Sequence, residues 1–291
     1  MHGRPPHVSD AEVLGVVAEA WALDVESIEH LPVGFGAWHW RVDVGGAPAL
    51  FVTLDPPLAR RTAASLESAY AAAAELAGSL DFVHASVPGD TGRFTYPCAD
   101  GAVSATPWLC GHRPAEQVAW TFELLTRLHA AKPPAALPVW GSVVPPRIAD
   151  DLAELTAAPW RSGPHGERAR GMVRSRLPRV ADLSDEHVAL VAAVDPETYV
   201  VTHGEPGVHN QWCTNDGRTV LLDWESALLA PRERDLVAVS TEGDPVLRRL
   251  FALEWQLSEI HLYAARFAAA HGDEQDDRAA LAGLAEELAK E

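Results

Sequence analysis

Two short β-branched runs, Tyr199–Thr202 and Thr219–Leu222, bracket a polar loop that ends in Asn215-Asp216-Gly217. Asn, Asp and Gly accept the positive φ of a tight turn, so this triplet between two such runs predicts a hairpin. The acid that follows the second run, Asp223, is then folded back beside the loop carrying His203, Glu205 and Asn210. One small pocket should hold two acids, an amide and an imidazole.

Metal-assisted phosphoryl transfer from a nucleotide calls for such a set. Magnesium takes hard oxygen ligands, which Asn210 and Asp223 can supply, and a second carboxylate, Glu205, can orient the attacking hydroxyl or accept its proton. His203 is expected to be structural, its ring bonded to loop carbonyls, because buried polar groups must be paired. Asp235 reads the same way, as a buried acid capping amides of the loop. Glu225 stays open between a second metal contact and a surface charge, and His209 is expected to be exposed.

The series His203-Gly204-Glu205, then Asn210, then Leu222-Asp223-Trp224-Glu225, then Arg234-Asp235-Leu236 resembles the aminoglycoside phosphotransferase family, relatives of protein and choline kinases. It departs at one place, where Glu205 stands for the family's usual Asp. That departure resembles an actinobacterial branch whose members act on the cyclic peptides viomycin and capreomycin. The resemblance implies an α+β, two-lobed, protein-kinase-like fold. A small β-rich N-lobe, residues 1–107, would bind nucleotide, and a larger helical C-lobe, residues 108–291, would carry the catalytic loop and substrate site.

Several further residues take roles from the same resemblance. Residues 32–54 read as two strands joined at Gly45-Gly46, with Gly34 and Gly36 opening the first. In the family the glycine turn lies over the nucleotide phosphates, where a missing Cβ lets backbone amides approach an anion. The lysine that the family places on the second strand falls here at Thr53, and no lysine precedes Lys132. Arg60 or Arg61 could supply the missing charge. Glu67, on a helix expected over 58–77, would be that lysine's usual partner or a plain helix acid. The segment 102–109 resembles the hinge, so adenine is expected against Thr106, Trp108 and their backbone. ATP and magnesium are the implied cofactors, with GTP open because hinge contacts run through main chain.

Beyond residue 110 the periodicity turns helical, over 115–131, 147–157, 166–181, 184–194, 245–271 and 273–290. Trp120 and His129 read as packing residues of the first of these, and Ser184 as an N-cap. Near the start, Ser9 and Glu12 form a capping-box signature for a helix to about Leu23.

Charge narrows the partners. Forty-one acids against 23 lysines and arginines give a net charge of −18, which repels nucleic acid and membrane phosphates and attracts cations. A cationic small molecule is the expected substrate, with Asp150, Asp151, Glu154, Glu254 and Glu259 as its candidate carboxylates. Three scattered cysteines, no apolar leader and no membrane-length run fit a cytoplasmic protein, monomeric or homodimeric. The expected activity is an ATP- and magnesium-dependent phosphotransferase acting on an antibiotic hydroxyl, a resistance function. The alternatives are a kinase for a metabolite such as a sugar, choline or homoserine, and a degenerate kinase fold that binds a ligand without turnover.

Overall fold

The structure is a computed structural model that describes residues 1–34, 36–56, 62–99, 101–117 and 121–290. Arg60, Arg61 and Trp120, invoked above, lie outside the described residues, as do residues 58–61 and 118–120 of the helices expected over 58–77 and 115–131. The chain forms two compact units, residues 1–140 with 197–241, and residues 141–196 with 242–291.

The first unit opens with α1 (Asp10–Ala20), started by the expected capping box: Ser9 N–H donates to Glu12 at 2.7 Å and Glu12 N–H returns to Ser9 Oγ. β1 (Ser27–Leu31), β2 (Trp38–Val44) and β3 (Ala47–Asp55) follow, with β2 and β3 joined at Gly45-Gly46. After α2 (Ala63–Ala77) come β4 (Tyr96–Cys98) and β5 (Gly101–Pro107). These strands make one antiparallel sheet in the order β1-β2-β3-β5-β4.

Alternation gives the sheet two unlike faces. Trp40, Val42, Val52, Leu54, Val103 and Ala105 are buried with Val13 and Val17 of α1, each large side chain contributing about 1.5–3 kcal/mol on burial. On the opposite face the register aligns His39, Thr53 and Ser104 in one row and Arg41, Phe51 and Thr106 in the next. α2 begins at Ala63, where Thr62 caps it through Ser65 N–H.

The rest of the first unit holds β6 (Gly111–His112), α3 (Thr121–His129), β7 (Val200–Thr202), β8 (Gln211–Thr214), β9 (Thr219–Leu221), β10 (Leu228–Ala230) and α6 (Glu233–Val239). The Asn-Asp-Gly turn joins β8 to β9, while β7 pairs with β10. The hairpin partner of the second run is thus Gln211–Thr214, within the segment expected as loop, and the first run pairs elsewhere. Leu125, Leu128, Val201, Leu221, Trp224 and Leu236 close the core beneath it.

The second unit is helical: α4 (Ile148–Ala157), α5 (Gly166–Ala192), α7 (Pro245–Ala268) and α8 (Gln275–Ala289). The expected break before Ser184 is absent. Pro178 lies within a continuous α5 and Ser184 is buried mid-helix, because Val173, Val180 and Leu183 keep one apolar face against α7. Packing of that stripe outweighs the local capping signal. Among the described residues no helix is long and apolar enough to cross a membrane.

Candidate active site

The loop after β7 is held from behind. Asp235, fully buried on α6, accepts His203 N–H at 3.0 Å, Gly204 N–H at 2.6 Å and His129 Nε2 at 3.0 Å. Burial alone would raise its pKa, but the bond from His129 and the nearby Arg234 charge leave it below the usual carboxylate range. The expectation that Asp235 caps loop amides therefore agrees with its geometry. His129, read as a packing residue, is instead its partner from α3.

His203 is also fully buried, and its bonds fix its tautomer. Nε2 donates to the Leu222 carbonyl at 2.8 Å, and Nδ1 accepts Glu205 N–H at 3.2 Å. Only the neutral Nε2–H form satisfies both, and burial lowers its pKa accordingly. Its ring meets the edge of Trp224 at 4.6 Å. One imidazole thus ties the Glu205 loop to the strand that ends at Asp223.

Gly204 takes φ +97°, and any Cβ there would run into the Arg234 guanidinium. That guanidinium donates to Thr202 Oγ1 at 3.0 Å and to the Ser226 carbonyl at 2.8 Å. Ser226 Oγ lies 3.5 Å from Glu205 Oε1, and His209 Nε2, exposed as expected, 3.8 Å from Oε2. Ser226 had no distinguishing signal in the sequence, and Arg234 stood in the Arg234-Asp235-Leu236 series without an expected role.

Asn210 is buried, and its Nδ2 donates to the Glu205 carbonyl at 2.9 Å, which leaves Oδ1 as its presented acceptor. Its own carbonyl accepts Leu222 N–H at 2.9 Å, extending the β8–β9 ladder by one step and bringing Asp223 alongside. Asp223 is exposed and adopts φ 63°, ψ 67°, a left-handed conformation costing a non-glycine residue about 1–2 kcal/mol. Strain of this kind, held by the surrounding structure, marks functional positions. The structure therefore gathers Glu205, Asn210 and the 223–226 turn into one place.

Among the described residues, no three His, Cys, Asp or Glu side chains converge on a metal centre. A carboxylate with an amide suits magnesium, which retains waters and accepts phosphate oxygens. Tyr70 of α2 lies behind this edge, its phenol pushed well above its ordinary pKa by burial and by Asp55, Glu225 and Asp223.

Of the expected nucleotide residues, Thr53 and Thr106 lie on the sheet face opposite α1, with Gly34 and Gly36 before β2 and Trp108 just after β5. Thr53 Oγ1 is 3.1 Å from His39 Nδ1, His39 stacks on Phe51 at 4.9 Å, and Phe51 is 6.5 Å from Trp108. Gly34 and Gly36 both have positive φ, and a Cβ at Gly34 would lie 2.7 Å from His39 Nε2. Thr106 pairs with Phe51 across β3–β5, while Trp108 N–H is committed to the Ala49 carbonyl. Glu67 binds Phe94 N–H, Thr95 N–H and Thr95 Oγ1 at 2.6–2.9 Å, so it anchors the turn before β4.

The five candidate substrate acids differ. Asp150, Asp151 and Glu154 are exposed on α4, with Arg147 3.2 Å from Asp150 and 3.8 Å from Glu154. Glu254 and Glu259 are buried on α7, Glu254 3.8 Å from His187 and Glu259 beside Tyr263.

Known proteins resemble this chain in sequence and in fold. The description "Phosphotransferase enzyme family" matches residues 27–284. Protein StrN of Streptomyces griseus is 28% identical over 287 residues, covering 87% of this chain and 84% of the relative. Spectinomycin phosphotransferase APH(9)-Ia, solved with ADP and spectinomycin, superposes with a TM-score of 0.71 at 12% identity, covering 96% of this chain and 94% of that one. Amicoumacin kinase hAmiN, solved with AMP-PNP, Ca²⁺ and its ligand, gives 0.59 at 11% identity, with 97% and 93% covered. The α+β, kinase-like fold that the resemblance implied is therefore the fold of the chain, and the chain belongs to the phosphotransferase enzyme family, as a small-molecule phosphotransferase.

Proposed function

We propose that the chain transfers the γ-phosphoryl group of ATP to a hydroxyl of a cationic small molecule, an antibiotic of aminoglycoside or cyclic-peptide type. The observation that carries this is the junction of the two loops, where Asn210 Nδ2 on the Glu205 carbonyl and Asn210 carbonyl on Leu222 N–H set base, amide and strained acid side by side. Asn210 Oδ1 and Asp223 would hold magnesium, which neutralises phosphate charge when bound. Glu205 would orient the acceptor hydroxyl and take its proton. Because the transition state is loose, alignment and charge neutralisation supply most of the acceleration.

The nucleotide would lie on the sheet face opposite α1, in an N-lobe of residues 1–107, with its phosphates under Gly34 and Gly36, near Thr53, and its base by Thr106 and Trp108. The remaining chain, 108–291, would recognise the acceptor. Net charge of −18 supports a cationic substrate, and the exposed acids of α4 are the accessible ones among the five. GTP as donor, and a monomer or homodimer in the cytoplasm, are compatible with this reading. The neighbours solved with spectinomycin and amicoumacin support an antibiotic acceptor, while the choline kinase LicA, with a TM-score of 0.51, keeps the metabolite alternative for the test.

The test is ATP consumption across a panel of aminoglycosides, cyclic peptides and metabolites, with product mass shifted by about 80 Da, one phosphoryl group. Asp223→Ala is expected to abolish turnover and Glu205→Asp to keep a measurable part. Near-full activity of Asp223→Ala sinks the metal assignment.

A further inference from the structure

The sheet face opposite α1 carries a polar row, beside the row that holds Arg41. Register places His39, Thr53 and Ser104 side by side across β2, β3 and β5. Tyr70, hydrogen-bonded to Ser104 and within electrostatic reach of Asp223 and Glu225, continues the row toward the catalytic acids. At the other end His39 Nε2 lies under Gly34. The row therefore runs from the glycine turn to Asp223, the span a polyphosphate would occupy on the reading above, on which this inference rests.

We infer that the nucleotide's phosphates are gripped on this face by a neutral donor, His39 Nε2–H, whose ring the Thr53 hydroxyl holds in place by donating its one proton to Nδ1, and that their charge is met by the divalent cation alone. Thr53 Oγ1 sits 3.1 Å from His39 Nδ1. With Nδ1 as acceptor the ring proton is on Nε2, aimed at the turn. Burial, reinforced by the Met1 ammonium and His30, lowers the His39 pKa to about 3, so the ring is a neutral donor near pH 7.

The one arginine or lysine of β2, β3 and β5, Arg41, is held by Asp43 at 3.0 Å and by Glu29 at 3.0 Å. Glu67, which could have partnered a strand cation, is taken up by the 94–95 turn. A nucleotide arriving without metal would meet Asp55, Asp223 and Glu225 around Tyr70 with no strand charge to offset them.

Calorimetry with adenosine, ADP and ATP, in magnesium and in EDTA, tests this. For the wild type we expect ATP to bind more tightly than adenosine in magnesium and no more tightly in EDTA. His39→Leu and Thr53→Val should leave adenosine affinity unchanged and each cut the ATP-over-adenosine ratio in magnesium about tenfold, the worth of one hydrogen bond. Circular dichroism confirms that each variant is folded. Thr53→Lys should restore ATP binding in EDTA.

A ratio unchanged in folded His39→Leu and Thr53→Val overturns the inference while leaving the nucleotide site standing. So does wild-type ATP binding that EDTA does not weaken, or loss of the ratio in Arg60→Ala/Arg61→Ala alone. Failure of the wild type to bind adenosine or ATP under any condition removes the nucleotide reading together with this one.

Discussion

Replacing Asp235 by Asn probes how the loop carrying Glu205 is held. The carboxylate receives three N–H groups, two on Oδ2 from His203 and His129 and one on Oδ1 from Gly204, with no exposure to solvent. Asparagine keeps the shape but has one accepting oxygen. In its better orientation the amide oxygen faces His203 and His129, and the NH₂ then confronts Gly204 N–H, donor against donor.

Two charge-assisted bonds become neutral ones and one buried donor is left unmet, a loss of about 3–5 kcal/mol. For a chain of this size each kcal/mol moves Tm by roughly 2–4 °C, so a fall of about 6–20 °C is expected. A thermal melt followed by circular dichroism measures it. Phosphotransfer, assayed well below the variant's Tm, should also drop at least about tenfold, since Gly204 and Glu205 lose their anchor.

The pH dependence gives an independent check. The folded pKa of Asp235 is depressed, so its contribution is present above the ordinary carboxylate value near 4 and is lost as pH falls below it. The gap between wild type and Asp235→Asn should therefore be full at pH 7 and shrink in acid below about 4. A variant melting within about 2 °C of wild type at pH 7 would refute the argument that this carboxylate holds the loop.

Gly204→Ala should cost about 2–4 kcal/mol in a urea titration, combining left-handed strain with displacement of Arg234. Asp223→Gly should relieve the strain at φ 63° and leave Tm unchanged or higher while removing turnover; a large loss of Tm would contradict the strain assignment. Burial keeps His39, His84 and His203 neutral in the fold, whereas the unfolded chain binds protons near pH 6.5. Stability should fall as pH drops below about 6.5, for His39 by about 1.4 kcal/mol per pH unit down to its folded value of about 3. A melting temperature that is flat from pH 7 to pH 5 would contradict this.

Local signals carried the parts of the fold and site that depend on neighbours in the chain. Ser9 and Glu12 cap α1, and Asn215-Asp216-Gly217 turns β8 into β9. The return of Asp223 toward Asn210 follows from that turn. Pairings between distant segments left no local trace. His129 meets Asp235 across 106 residues, and Arg234 reaches the Ser226 carbonyl because Gly204 has no side chain. Ser184 misled for the opposite reason: its capping signal is genuine, but the apolar stripe of α5 runs through it. Glu67 was legible as a helix acid, yet its partners, the amides of Phe94 and Thr95, offered no side-chain pattern to find.

The covalent path between the two units has a practical outcome. The polypeptide changes unit at 140/141, at 196/197 and again at 241/242. No single cut separates them, and a fragment starting at residue 141 would carry Glu205, Asn210 and Asp223 away from His129, the side chain that steadies their anchor. Exchange of the helical unit with that of a relative would need two grafts, 141–196 and 242–291, made together, and a chimera receiving only one would combine half-cores of different origin.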